Sequence, residues 1–276
     1  MIGVSTSSYY GQPKVPREKR EQDDAMYRNL IEQVQEQIPG SGYRTVQKYL
    51  HRSGVKIGER KLRRIMGKFG LWAEVKKAFV RTTDSEHDYE TYPNLIRGMQ
   101  VTGSNQIWVS DITYIRIKNG FVYLAVILDL FSRKVIGWAI SKRIDEQLTL
   151  SALRMAIRRR RPPKGVIHHS DRGAQYVSRR YVKLLKRLGF HVSNSSTGNP
   201  YDNAFAESFM KTLKRQEVYL ASYQSYLDVV ENLPCFIEEI YNEKRVHSSL
   251  HYLTPNELEQ LEKKGEEDIS RFSVDL

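Results

Sequence analysis

The sequence predicts an α/β domain with a five-stranded mixed sheet, preceded by a small all-α unit of the helix-turn-helix type. Three observations lead there. Between residues 26 and 69, apolar side chains recur at three- and four-residue steps, the period of amphipathic helices. Between residues 107 and 194, short β-rich runs are followed by helical patterns in alternation, the order that builds a sheet with helices packed on it. An Asn119-Gly120 pair separates the first two of those runs and is a strong hairpin signal.

Residues 1–23 are polar and proline-bearing and read as a flexible leader. From Asp24 onward Met26, Leu30, Ile31, Val34 and Ile38 follow a helical period until "PGSG" stops it. A second short helix fits Thr45 to Arg52, with Val46, Tyr49 and Leu50 inward. After "SGVKIG" a third runs from Glu59 to Phe69 and turns Leu62, Ile65, Met66 and Phe69 to one side. Its other face carries Arg60, Lys61, Arg63, Arg64 and Lys68. Two short helices around a glycine-containing turn, the second one basic, suggest a helix-turn-helix over residues 24–72 whose last helix lies against DNA. A three-helix bundle with a solvated basic face is the alternative. Residues 73–104 are mixed in charge without a sustained period and read as a linker.

"IWVSDITYIRIK" alternates, placing Ile107, Val109, Asp111, Thr113, Ile115 and Ile117 on one side of a first strand. "FVYLAVILD" is a nearly continuous apolar run, so its strand should be covered on both faces. "KVIGWAIS" makes a third strand, and a helix from Asp145 to Arg160 turns Leu148, Leu153 and Ala156 inward. "GVIHHS" is a fourth strand, "SRRYVKLLKRLG" a helix, "FHVSNS" a fifth strand and "YDNAFAESFMKTLKRQEV" a helix. A three-strand meander, then helix, strand, helix, strand, helix is the element order of a ribonuclease H-like fold, here over residues 105–220. Residues 221–276 form a C-terminal helical extension. It starts as one long helix interrupted at Pro234, followed by a helix capped at Thr254-Pro255 and a frayed acidic tail.

A formal charge of +12, with 44 Lys and Arg, points to a polyanionic partner, nucleic acid first. No run approaches the roughly 18 apolar residues of a membrane span, and the N-terminus lacks the basic start and apolar middle of a signal peptide. A cytoplasmic location is expected. The single Cys235 excludes an internal disulfide and a multi-cysteine zinc knuckle, and reads as a small buried apolar residue.

Three acids stand out. Asp111 lies near the middle of the first strand, Asp171 just past the fourth, and Glu207 on the helix after the fifth. In this strand order the first and fourth strands are neighbours, so Asp111 and Asp171 approach each other. Phe205, Phe209 and Leu213 would dock the helix that brings Glu207. Converging carboxylates raise one another's pKa unless cations lie between them. Magnesium accepts carboxylate oxygens and keeps positions open for water and phosphate. Two such ions roughly 4 Å apart serve phosphodiester displacement by activating the attacking oxygen and stabilising the leaving one.

"WVSDITYI", "HHSDRGAQY" and "GNPYDNAFAESFMKTLK", with 35 residues between Asp171 and Glu207, closely resemble the catalytic core of DDE transposases and retroviral integrases. The nearest resemblance is to bacterial insertion-sequence transposases of the IS-three family, in particular the product of the second of two overlapping frames. It extends to "GYRTVQKYL" and "LRRIMGKFGL" upstream and "YNEKRVHSSLHYLTPNEL" downstream. The resemblance implies a DDE-type DNA transposase in which Asp111, Asp171 and Glu207 are the catalytic acids and bind two magnesium or manganese ions. It implies hydrolysis at the element's 3′ ends and transesterification by the freed 3′-hydroxyl, first onto the element's own flank. The implied partners are terminal inverted repeats and target DNA in the bacterial nucleoid, a homo-multimer on DNA, and a first-frame product to which second-frame chains are often fused. The start "MIGVSTSSYYG" looks like the beginning of such a second frame. A DNA-binding regulator that does not cut, and a nuclease on the same fold, are the other readings; three intact acids disfavour the first, and the transposase-like blocks the second.

The remaining candidates are secondary. Arg172, Lys211 and Lys214 join Arg60, Arg63, Arg64 and Lys68 as DNA contacts. Asp129 reads as a strand-end turn residue or partner of Arg133, and Asp202 as a helix N-cap. Asn203, one turn before Glu207, could support it. His168 and His169 point to opposite faces of a strand, so both cannot bind one ion. "NSSTGNPYDN" reads as a mobile loop that orders on DNA, and "RRRRPPK" as a backbone contact at most.

Overall fold

The computed structural model describes residues 16–73, 90–196, 203–265 and 269–276. The chain divides into two compact units between residues 74 and 75.

The first unit holds three helices, α1 (Arg17–Gln37), α2 (Tyr43–Arg52) and α3 (Glu59–Lys68). Ile31, Val46, Leu50, Leu62, Ile65 and Met66 form its core, while Met26 is half exposed. The assignment of residues 1–23 as a leader needs correction, because α1 already begins at Arg17. Its first turns are Glu, Lys, Arg and Gln, good helix formers that show no apolar period. Residues 1–15 lie outside the described residues.

Asp24 is buried at 3 % exposure and receives hydrogen bonds from Arg64 (2.8 and 2.5 Å) and Lys68 (3.0 Å). The Arg64 bonds hold its carboxyl well below the usual aspartate range. A depressed acid contributes stability above its unfolded pKa of about 4, and that contribution is lost as pH falls below it. Hydrogen-exchange protection of α1 and α3, corrected for intrinsic rates, is therefore expected to drop between about pH 4 and pH 2. Asp24→Asn should be less protected at pH 5 and lack the drop; an unchanged acid response in that variant would disprove the assignment.

The second unit carries the sheet. Its strands are β1 (Gln100–Val101), β2 (Ile107–Ile117), β3 (Gly120–Asp129), β4 (Val135–Ser141), β5 (Ile167–Ser170), β6 (His191–Asn194) and β7 (Val274–Asp275). Its helices are α4 (Glu146–Arg160), α5 (Arg179–Arg187), α6 (Ala204–Leu213), α7 (Tyr226–Cys235) and α8 (Pro255–Lys264). The five-stranded sheet has the order β4-β3-β2-β5-β6, antiparallel through β4, β3 and β2 and parallel through β2, β5 and β6. Ile117 pairs with Gly120, so the hairpin turns on Lys118 and Asn119, and Gly120 takes the positive φ of 122° that a side chain would resist.

One face of the sheet, with Trp108, Ala125, Ile127 and Ile136, packs on α4 and α5 through Leu153, Ala156, Tyr181 and Leu185. The other, with Val109, Ile115, Leu124 and Val126, packs on Ala206 and Phe209 of α6. α4 lies so close to β4 that a Cβ on Gly137 would stand 2.4 Å from the Ala152 carbonyl oxygen and 2.8 Å from the Ala156 Cβ. Gly137→Ala is expected to destabilise this unit by about 1–3 kcal/mol, read as a lower urea midpoint; an unchanged midpoint would show that the helix yields freely.

Both flanks of the sheet domain are more ordered than expected. Residues 90–104 are no free linker: the Tyr92 and Leu95 amides donate to the Asn194 and Ser193 side chains (2.9 Å each), and β1 pairs with β7. Residues 74–89 lie outside the described residues. Residues 221–276 are no mere extension, since Leu233, Phe236, Ile237, Leu258 and Phe272 belong to the same core as β2 and β3. The tail is pinned through β7 instead of fraying. Pro234 does not interrupt its helix; without an N–H to donate, the winding widens to a π-helical path over Phe236–Lys244. Cys235 is exposed, because the inward positions next to it are taken by Leu233, Phe236 and Ile237. Thr254 caps α8 as expected, accepting from the Glu257 amide while Glu257 accepts from the Thr254 amide.

Candidate active site

The sheet register brings the first two acids together. β2 and β5 run parallel, and their last paired residues are Ser110 and Ser170. Asp111 and Asp171 are the next residue on each, so they leave two strands about 4.8 Å apart side by side. Alternation along β2 turns Asp111 to the face of Val109 and Ile115, where α6 packs. Glu207 occupies the first turn of α6. Asn203, at the N-terminus of that helix, donates to the Ser110 carbonyl (3.2 Å) and so fastens α6 beside Asp111. Its Oδ1 is buried without a partner among the described residues.

The electrostatics record the convergence. Burial first, then the charge of Asp171, with a smaller contribution from Glu207, push the Asp111 carboxyl up to about 8; its bond from the Ile112 amide and the Lys214 charge oppose this. That amide is 2.8 Å from Asp111 Oδ1. Asp171 Oδ1 accepts from the Gly173 amide (3.0 Å), and the Asp171 carbonyl accepts from Asn194 (3.2 Å). Glu207 is 41 % exposed and lies 3.9 Å from Lys211.

Three mutually repelling carboxylates are a hard-oxygen donor set that a divalent cation fits. Among the described residues no group of three His, Cys, Asp or Glu side chains is already drawn around one metal-sized point.

The other candidates separate into distinct roles. Lys214 stands 4.3 Å from the Tyr114 ring centroid and feels the Asp111 charge, so it borders the acids; Lys211 is 81 % exposed. Arg172 Nε donates to the Ser195 carbonyl (2.9 Å). On α3, Arg60 and Arg63 are exposed, Arg63 lying 3.4 Å from Glu59; Arg64 and Lys68 are engaged with Asp24. Within "RRRRPPK", Arg159 pairs with Glu238 (2.7 Å) and Arg160 with Glu259. Asp129 is a turn residue, accepting from the amides of Asn105 (2.7 Å), Phe131 (3.1 Å) and Ser132 (3.3 Å). His168 bonds the Tyr181 hydroxyl (2.9 Å) and His169 the hydroxyls of Ser193 (2.8 Å) and Ser195 (3.2 Å), on opposite faces of β5. Asp202 and the loop residues 197–201 lie outside the described residues.

Tyr176 was not singled out by the sequence. Its hydroxyl is buried beside Ser110 and feels the charges of both Asp111 and Asp171. Its place within "HSDRGAQY" was the available signal, but a single aromatic does not announce which way its hydroxyl points.

Residues 101–200 and 188–255 each match the integrase core domain, a span that holds all three acids. A transposase for insertion sequence element IS904 from Lactococcus lactis is 37 % identical over 216 residues, covering 78 % of this chain and 85 % of that protein. The chain belongs to the insertion-sequence transposases. The transposase is also 35 % identical over 257 residues to the insertion element IS600 uncharacterized 31 kDa protein of Shigella sonnei, covering 92 % of this chain and 94 % of that one. Transposase InsF of IS3A from Escherichia coli K12 is 40 % identical over 191 residues, 69 % of this chain and 66 % of that protein. The catalytic core domain of BIV integrase superposes on 59 % of the transposase at 21 % identity, with a TM-score of 0.43. As a member of this family the transposase is a DNA polynucleotidyl transferase with an integrase core. No helix among the described residues is long and apolar enough to cross a membrane.

Proposed function

We propose that Asp111, Asp171 and Glu207 are the catalytic acids of this transposase and hold two divalent metal ions, magnesium or manganese. The observation that carries this is the register Ser110–Ser170, which sets Asp111 beside Asp171 on the face where α6 presents Glu207. Bound there, such ions supply an activated attacking oxygen and neutralise the leaving one. The chain's own part is to aim three carboxylates at one phosphodiester. Lys214 and Lys211, bordering the acids, take phosphate oxygens of the scissile strand, and Arg172 contacts DNA beside Asp171.

The reaction balances as two displacements. Water first forms a bond to phosphorus while the 3′-oxygen at the element's end leaves and takes a proton. The freed 3′-hydroxyl then loses its proton, bonds a second phosphorus, and displaces another 3′-oxygen. The helical unit binds terminal inverted repeats in the nucleoid through Arg60, Arg63, Arg64 and Lys68; a phosphate competes with Asp24 for the last two. Pairing two DNA ends requires a multimer on DNA, and a first-frame product fused to the chain adds end recognition.

Labelled DNA from the element's ends, incubated with the purified chain and manganese or magnesium, tests the reading. Metal-dependent 3′ nicking and joining is expected. Binding without cleavage, in the chain alone and in its first-frame fusion, would favour a regulator that does not cut.

A further inference from the structure

We propose that Arg133 and Tyr241 are positioning residues for Glu207, an inference that rests on the assignment of the three acids above. Among the described residues the Glu207 carboxylate has a long ion pair to Lys211 as its direct hold, so its placement follows from how α6 is seated. Two aromatic side chains flank it at equal distance along the helix, Phe205 before and Phe209 after. Each is gripped from outside. The Arg133 guanidinium stands 3.8 Å from the centroid of the Phe205 ring. The Tyr241 ring meets Phe209 edge to face, with centroids 4.8 Å apart at 90°.

The two grips are tied to each other. Asn242, next to Tyr241, clamps β4 two residues beyond Arg133: its Oδ1 accepts from the Val135 amide and its Nδ2 donates to the Val135 carbonyl, both at 3.0 Å. Tyr241 in turn packs edge to face on His247 (4.9 Å, 83°). His247 is bonded by Arg245, whose Nε donates to Gln216 (2.9 Å) on the continuation of α6. "YNEKRVH" is thus a bracket that joins β4 to the Glu207 helix.

Arg133 is an expensive way to fill space. Its backbone is left-handed at φ 62°, and its Nη1 is buried without a partner among the described residues. Both features are unfavourable, and a plain apolar side chain would avoid the second. A guanidinium stacked on a ring fixes that ring's orientation as a methylene chain does not. Metal-site carboxylates need such support, because loss of an outer partner commonly weakens metal binding or activity by about 10- to 100-fold.

The test uses the full chain, with Mn²⁺ affinity measured by calorimetry without DNA, and kcat and the DNA KM of strand joining measured separately. Arg133→Met and Tyr241→Leu are expected to weaken Mn²⁺ binding and lower kcat about tenfold with the DNA KM unchanged. Arg133→Lys, which keeps a cation on the ring, should recover part of the loss. Phe205→Leu leaves Arg133 in place and should reproduce the Arg133→Met effect, which guards against a variant that fails to fold. In a Glu207→Gln background none of these changes should weaken Mn²⁺ binding further. Equal losses in both backgrounds, or a raised KM at unchanged kcat, would overturn the proposal while leaving the acids in place. If Glu207→Gln itself left Mn²⁺ binding untouched, the assignment of the third acid would fall and this proposal with it.

Discussion

Glu207→Gln is expected to lower the rate of metal-dependent strand joining about a thousandfold while DNA binding stays within twofold. The amide keeps the shape of the side chain but removes a charge that would hold a cation beside Asp111 and Asp171. Metal stabilisation of the displacement is worth several kcal/mol, and about 4 kcal/mol corresponds to about a thousandfold. Asp111→Asn and Asp171→Asn should act alike. Lys211→Ala, 3.9 Å away on an exposed side chain, removes a local charge without removing a ligand and should cost less than about tenfold. Equal effects from Glu207→Gln and Lys211→Ala would mean that Glu207 acts as a surface charge and not as a ligand.

Glu259→Ala should be the most destabilising single change outside the apolar core. The carboxylate is 4 % exposed, and Arg160, at 12 %, pairs with it. Ser132 (2.7 Å) and Lys134 (3.3 Å) donate to the same group. Burial alone would raise its pKa, but Arg160, Lys134 and Ser132 together hold it below the ordinary glutamate value. Removing it strands Arg160 away from water, and breaking a buried pair from one side costs about 3–5 kcal/mol. A urea denaturation curve should show the loss as a lower midpoint at unchanged slope. A shift below about 1 kcal/mol would place the pair among solvent-screened surface bridges.

Much of this was legible in the sequence, and the exceptions share a cause. The alternation of β2, the doubly covered β3 and the amphipathic α4 and α5 are local periods, and a local period can be read from one chain. The same holds for the acids: the strand order by itself makes Asp111 and Asp171 neighbours. What escaped was pairing between distant segments. β1 and β7 are two residues each, too short to show a period, so residues 90–104 and the tail read from sequence as linker and fray. From sequence Arg133 reads as a partner of Asp129, its near neighbour, yet its ring partner Phe205 is 72 positions away. α1 began earlier than expected because polar turns extend a helix without an apolar stripe.

The pairing of β1 with β7 also bears on when this protein becomes a protein. Gln100 and Asp275, side by side in that ribbon, are 175 positions apart, and Leu258 and Phe272 fill a core begun by β2. A chain emerging from the ribosome can complete its helical unit early, but it cannot fill the core behind β2 and β3 until Leu258 and Phe272 have left the exit tunnel. The helical unit therefore completes its core before the sheet domain on each nascent chain, and a product truncated ahead of α8 would lack Leu258 and Phe272 from the core behind β2 and β3.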